Sequence, residues 1–219
     1  MQNKDASDTD AGIGTCGASR RGRPRAFDRD AALTAAMHLF WQKGFSATSI
    51  CDLTAAMGIG SPSLYAAFGS KEALYAETLD QYRRTNEATV WDGFFAADTA
   101  RGAVAAFLHD SAAGLSQAPN GCMVTLSAVG AEGHAELGAR VVSARQMTLT
   151  RLEDRIERGQ AAGEIGRSVD AHGLARFVQT VQNGMSLLAR DGAGFDELDA
   201  VAETAMLGWD ARVNAPPST

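Results

Sequence analysis

The sequence predicts an all-α protein, with an N-terminal three-helix helix-turn-helix unit followed by a larger helical domain. Three observations carry this. Apolar residues recur at helical spacing through nearly all of residues 25–213, and no segment shows an alternation of β-branched residues. Only five prolines occur, none in the middle of a periodic segment. Glycines and capping residues fall where helices of ordinary length would begin and end.

The elements follow in order. Residues 1–24 are polar, rich in Gly, Ser, Asp and Arg, and read as a disordered basic tail. Asp28 is placed to cap a first helix whose apolar face is Leu33, Ala36, Met37, Phe40 and Trp41, with Gly44 just past its end. Thr48 or Ser49 caps a short second helix carrying Ile50, Leu53 and Met57, and Gly58, Ile59 and Gly60 form a turn. Ser61 is the expected N-cap of a third helix. Pro62 then falls at the first helical position, where its missing N–H costs nothing. That helix buries Leu64 and Phe68 and stops at Gly69, and Ser70 opens a fourth with Leu74, Leu79 and Tyr82. Two short helices joined by a glycine turn of three or four residues have the spacing of a helix-turn-helix.

Further helices are expected over 99–117, 121–131, 134–162, 170–190 and 196–213, and residues 214–219 read as a tail. The penultimate helix places Leu174, Val178, Val181, Met185 and Leu188 in a heptad-like stripe. The last repeats it with Leu198, Val201, Ala202, Ala205 and Trp209. The two stripes serve either the core of one chain or a four-helix interface with a second copy.

Composition narrows the classes. With 45% hydrophobic and 21% charged residues, the chain is neither disordered throughout nor fibrous. No run reaches the roughly 18 apolar residues of a spanning helix, and the polar N-terminus lacks a secretory core. Cys16, Cys51 and Cys122 are odd in number and far apart, which argues against a disulfide framework. The expected location is the cytoplasm. Net charge is −6, unevenly spread: residues 20–71 carry seven Arg or Lys against three Asp, and residues 85–219 carry ten Arg against seventeen Asp or Glu. A basic module on an acidic body is one reading, and a chance fluctuation the other.

Residues 45–74 closely resemble the DNA-binding domain of the tetracycline-repressor (TetR) family of bacterial transcription regulators. The resemblance rests on Gly44-Phe45, Thr48, the Ala55-Ala56-Met57-Gly58-Ile59 turn, Leu64-Tyr65-x-x-Phe68, and Lys71-Glu72-x-Leu74. It covers residues 26–84 strongly and the remainder only in size, helix content and the final hairpin. It implies a homodimeric regulator, released from double-stranded operator DNA by a small-molecule effector, with residues 25–84 for DNA and 85–213 for effector binding and dimerisation. Thr48 and Ser49 would offer hydroxyl and N–H groups to a phosphate. Tyr65 and Lys71 resemble the family's backbone-contacting pair. Gly60, Ser61, Pro62, Ser63 and Ala66 would lie at the base edges, with Ala67 beside them. None of these is Arg, Asn or Gln, so bidentate base reading is missing there. Arg23 and Arg25, within Arg20-Arg21-Gly22-Arg23-Pro24-Arg25, suit either a minor-groove arm or a non-specific basic tail.

Other chemistry is sparse. Gly12-Ile13-Gly14-Thr15-Cys16-Gly17 matches G-x-G-x-x-G but lacks a preceding strand and a following helix. His38, His109, His134 and His172 have no metal-type spacing, so neither metal nor cofactor nor catalytic residue is expected. An effector pocket is expected between the C-terminal helices, with Trp91, Phe94, Phe107, Cys122, Met123, Met147 and Phe177 as candidate lining. Cys122 is either a small core residue or a sensor of oxidants or electrophiles.

Overall fold

Side-chain oxygens set the start of most helices. Asp28 accepts the N–H groups of Asp30 and Ala31 and so starts α1 (Arg29–Lys43). Ser49 and Asp52 form a reciprocal capping box at the head of α2 (Ile50–Met57). α3 (Ser61–Phe68) follows, then α4 (Lys71–Ala96) capped by Ser70, α5 (Ala100–Ser116) capped by Thr99, α6 (Ala135–Ala161), α7 (Ala171–Arg190) capped by Asp170, and α8 (Phe195–Val213). The computed structural model describes residues 28–215, and these eight helices with no strand make up its regular structure. Arg23, Arg25 and the Gly12–Gly17 stretch lie outside the described residues.

Two expectations are corrected. Ser61 is the first residue of α3 rather than its cap; Gly60 occupies the cap, and its carbonyl accepts from Ser63 and Leu64. Residues 121–131 form a run of turns, not a helix. Gly121 has φ +65°, outside the helical region. The carbonyls of Val124, Thr125 and Ser127 turn instead to the Arg145 guanidinium at 2.8–3.0 Å. One fixed cation thus replaces the internal bonds a helix would have used.

The interior has two parts. Around α1–α3 and the first half of α4 the core is built from Leu33, Phe40, Leu53, Leu64, Phe68 and Leu74, and it also takes in Met123, Val124, Val129, Leu137 and Val141. The second, between α4 and α8, centres on Phe94, Phe107, Leu149, Leu152, Met185 and Trp209. α4 runs unbroken through the expected boundary at residues 84/85, and the segment between α5 and α6 is packed into the N-terminal core. Where that segment meets α6, Gly130 and Gly138 face each other so closely that a Cβ on either would lie under 3.0 Å from the other's Cα.

Candidate nucleic-acid interface and effector cavity

α2 and α3 are only eight residues each, too short to be stable alone, and are held by the apolar residues they bury. Leu53, Leu64 and Phe68 turn inward, which leaves Pro62, Ser63, Tyr65 and Ala66 on the outer side of α3. Gly60 is exposed and Ser61 half-buried. Tyr65 is 48% exposed, with its ring outside the core. The position of α3 is fixed by Arg29, whose guanidinium makes two 2.8 Å bonds to Glu77, reaches the Ala67 carbonyl at 3.3 Å and covers the Phe68 ring at 4.4 Å. One side chain therefore ties the starts of α1 and α4 to the end of α3.

The expected phosphate ligands divide. Thr48 is fully buried, and its hydroxyl donates to the Gly44 carbonyl at 2.6 Å, so it braces the entry to α2 and faces no solvent. This corrects the expectation that its hydroxyl is offered outward. Ser49 is exposed, but its N–H and hydroxyl both bond Asp52 within the capping box. Lys71 stands at the first position of α4 with its ammonium 4.2 Å from the Phe45 ring centroid, and partial burial holds its pKa below the ordinary lysine value. Of the cations counted in the basic segment, Arg29 pairs with Glu77 and Lys43 with Asp52.

A cavity of about 140 Å³ lies between α4, α5, α6 and α7 and is closed below by the segment after α5. Trp91, Phe107, Cys122 and Met147 line it, as expected. Three other expected residues do not. Phe94 is sealed in the core, Met123 is packed beneath the N-terminal unit, and Phe177 is 39% exposed on the outside of α7. Polar residues that the sequence reading missed share the walls: Arg83, Asn86, Ser111, Arg145, Arg151 and Asn183. Their spacing along α4–α7 is that of ordinary surface residues, and nothing in the local pattern marks them.

The cavity is joined to the N-terminal helical unit through its floor. Burial pushes the Tyr82 phenol far above its ordinary pKa and keeps it neutral against the Cys122 thiol. The Tyr82 ring meets Trp41 edge-on at 5.0 Å, and Trp41 Nε1 donates to the Gly121 carbonyl at 2.7 Å. Tyr75 and Ser127 share a 3.0 Å hydrogen bond, Ser46 donates to Glu132 at 2.6 Å, and Phe45 packs against His134.

The heptad stripes mostly serve the chain's own core. Leu174, Val178, Met185, Leu198, Ala205 and Trp209 are buried within it, and Val181 and Val201 pack against it half-buried. Among the expected interface residues only Leu188 is substantially exposed, at 37%. The outward apolar positions on α7 and α8 are Phe177, Leu187, Leu188, Phe195 and Leu207. Phe177, Gly184 and Leu188 follow one helical face, and the Phe177 ring lies against Gly208 of α8.

No helix among the described residues is long and apolar enough to cross a membrane, and no cluster of His, Cys, Asp or Glu among them could hold a metal ion.

A glycine-turned helix pair presented outward, on a larger helical body, is the architecture of a helix-turn-helix protein. Residues 32–78 match the model of bacterial regulatory proteins of the tetR family. The chain is 35% identical over 201 residues to the HTH-type transcriptional repressor ComR of Escherichia coli K12, covering 89% of this chain and 94% of that one. It is 33% identical to the repressor BdcR of the same organism, over 84% of this chain and 90% of that one. A cysteine mutant of the TetR family transcriptional regulator CifR, solved with 26 bp double-strand operator DNA, is 38% identical. That match has a TM-score of 0.79 and covers 86% of this chain and all of CifR. The chain belongs to the TetR family of bacterial transcription regulators.

Proposed function

We propose that the chain is a homodimeric repressor that binds a two-fold operator through α2 and α3 and leaves it when a small molecule enters the cavity. The observation that carries this reading is the connection from cavity floor to α1, through Cys122, Tyr82, Trp41 and Gly121. Its relatives ComR and BdcR are named repressors, and CifR is solved on operator DNA. The reading has no catalytic step and places the protein in the cytoplasm.

On DNA, the exposed side of α3 (Pro62, Ser63, Tyr65, Ala66) enters the major groove, with Gly60 and Ser61 at its start. Lys71 at the head of α4 and Ser49 at the head of α2 meet the phosphates, Ser49 after exchanging its Asp52 contact. Arg23 and Arg25 reach the neighbouring minor groove. Without Arg, Asn or Gln on α3, sequence discrimination rests on hydroxyl contacts, thymine methyls and DNA shape. The second copy covers the outward face of α7 and α8, at Phe177, Gly184, Leu188 and Leu207.

Release requires that the effector bind the DNA-incompetent state more tightly than the competent one. Entry of a molecule displaces Cys122 and Thr125 on the floor, and the Trp41–Gly121 bond carries that movement to α1. The test is a gel shift on the operator together with a Trp41→Phe variant. Unchanged operator affinity with a weakened response to effector supports the linkage, and an unchanged response removes Trp41 from it.

A further inference from the structure

The lining of the cavity says what kind of molecule it takes. Arg83, Arg145 and Arg151 contribute to its walls, and no Asp or Glu does among the described residues. This contrasts with the acidic balance of residues 85–219. Arg145 is committed to the carbonyls of the floor. Arg83 is different: its guanidinium reaches the Met147 sulfur at 3.4 Å across the seam between α4 and α6. One turn further along α6, Arg151 lies over the Trp91 ring at 4.9 Å. The seam is thus rimmed by cations.

Deeper in, the walls are apolar, with Trp91 and Phe107 at 4.8 Å from each other. One turn from Phe107 stands Ser111, 1% exposed, whose hydroxyl has no hydrogen-bond partner although it is buried. An unpaired buried hydroxyl is costly and calls for a partner from the occupant. The volume of about 140 Å³ is close to the ~150 Å³ of an apolar cavity that holds a benzene ring.

We propose that the cavity binds a one-ring organic acid: a carboxylate at the α4–α6 seam against Arg83, the ring against Trp91 and Phe107, and a second hydrogen-bonding substituent at Ser111. This specifies the ligand class of the effector cavity and rests on that reading of it. Arg83 supplies the charge-assisted bond that separates an acid from its neutral analogue.

The test uses the full-length protein and four matched probes: 4-hydroxybenzoate, benzoate, 4-hydroxybenzyl alcohol and 4-hydroxybenzylamine. Binding is read by calorimetry and operator release by gel shift. 4-Hydroxybenzoate is expected to bind at least about tenfold tighter than the alcohol or the amine. Arg83→Gln should abolish that preference, and its helical circular dichroism and operator binding report that the variant is folded. Ser111→Ala should erase the advantage of 4-hydroxybenzoate over benzoate. Equal or tighter binding of the alcohol or the amine overturns the assignment, as does failure of all four to bind. If the acid binds with these variant effects but operator affinity does not change, the ligand class stands and the release reading fails. If neutral compounds release DNA and the acids are ignored, the release reading stands and the ligand class fails.

Discussion

Trp41 of α1 and Gly121 of the segment after α5, eighty residues apart in sequence, are joined by a 2.7 Å hydrogen bond from indole N–H to backbone carbonyl. Gly121 is held in turn from the other side. It has φ +65°, and a Cβ there would collide with the Ser186 carbonyl of α7. The next residue, Cys122, donates its N–H to the Ser186 hydroxyl at 2.8 Å. One short turn therefore touches the DNA-facing unit, the cavity and α7 together. Trp41→Phe keeps the ring against Tyr82 and removes the donor. It should cost about 1 kcal/mol of stability in denaturant unfolding, up to ~3 if water cannot reach the Gly121 carbonyl. Gly121→Ala should be worse, because it adds both a left-handed backbone strain and a clash.

Lys71→Ala should weaken DNA binding and reduce the slope of log K against log salt by about 1.8, because each protomer of the dimer loses one phosphate contact worth about 0.9. Tyr65→Phe removes a hydroxyl without charge and should weaken binding while leaving the slope unchanged. Titrations at several salt concentrations separate the two. Equal slopes for wild type and Lys71→Ala would remove Lys71 from the phosphate contacts.

The proposed dimer face is tested by its exposed members. Leu207 is 70% exposed, so Leu207→Asp should yield folded monomers with full helical circular dichroism and reduced operator affinity. Met185→Asp, at 0% exposure, should instead unfold the C-terminal domain, because it buries an unpaired charge. Light scattering and circular dichroism read the difference. A Leu207→Asp protein that remains dimeric would move the interface elsewhere.

Asp52 provides a pH test. The Ser49 backbone N–H, then its hydroxyl and Lys43, hold the Asp52 carboxyl below the ordinary value of 3.8. Its folded pKa is thus lower than its unfolded one, and its stabilising effect is complete above the unfolded value and fades as pH falls through the folded one. Asp52→Asn should therefore melt below wild type near pH 7. The difference should shrink once the pH drops below about 4. A difference that persists undiminished in acid would mean that the carboxylate charge is not what stabilises the cap.

Helix positions were legible because caps and apolar period are local signals: Asp28 and Ser70 each begin a helix as read, and of the two residues that could start α2, Thr48 and Ser49, it is Ser49 that caps it. Residues 121–131 were not, because the decisive group, Arg145, lies about twenty residues downstream. The stripes on α7 and α8 have one period whether they face their own chain or a partner, so sequence could not choose, and Met185 and Trp209 proved to be core. Thr48 sits in the resemblance motif, yet its hydroxyl points inward to Gly44. The cavity's arginines were invisible for a related reason, since a wall is defined by what stands opposite it.

The central claim is sequence-specific binding to DNA by a two-fold dimer. Selection of bound duplexes from a random pool at moderate salt, followed by footprinting of the winners, tests it most directly. The account predicts one enriched, roughly palindromic motif with half-sites about one helical turn apart, protected by wild type and protected only at higher protein concentration by Lys71→Ala. A pool that stays random through repeated rounds, with binding that follows salt but not sequence, would contradict it.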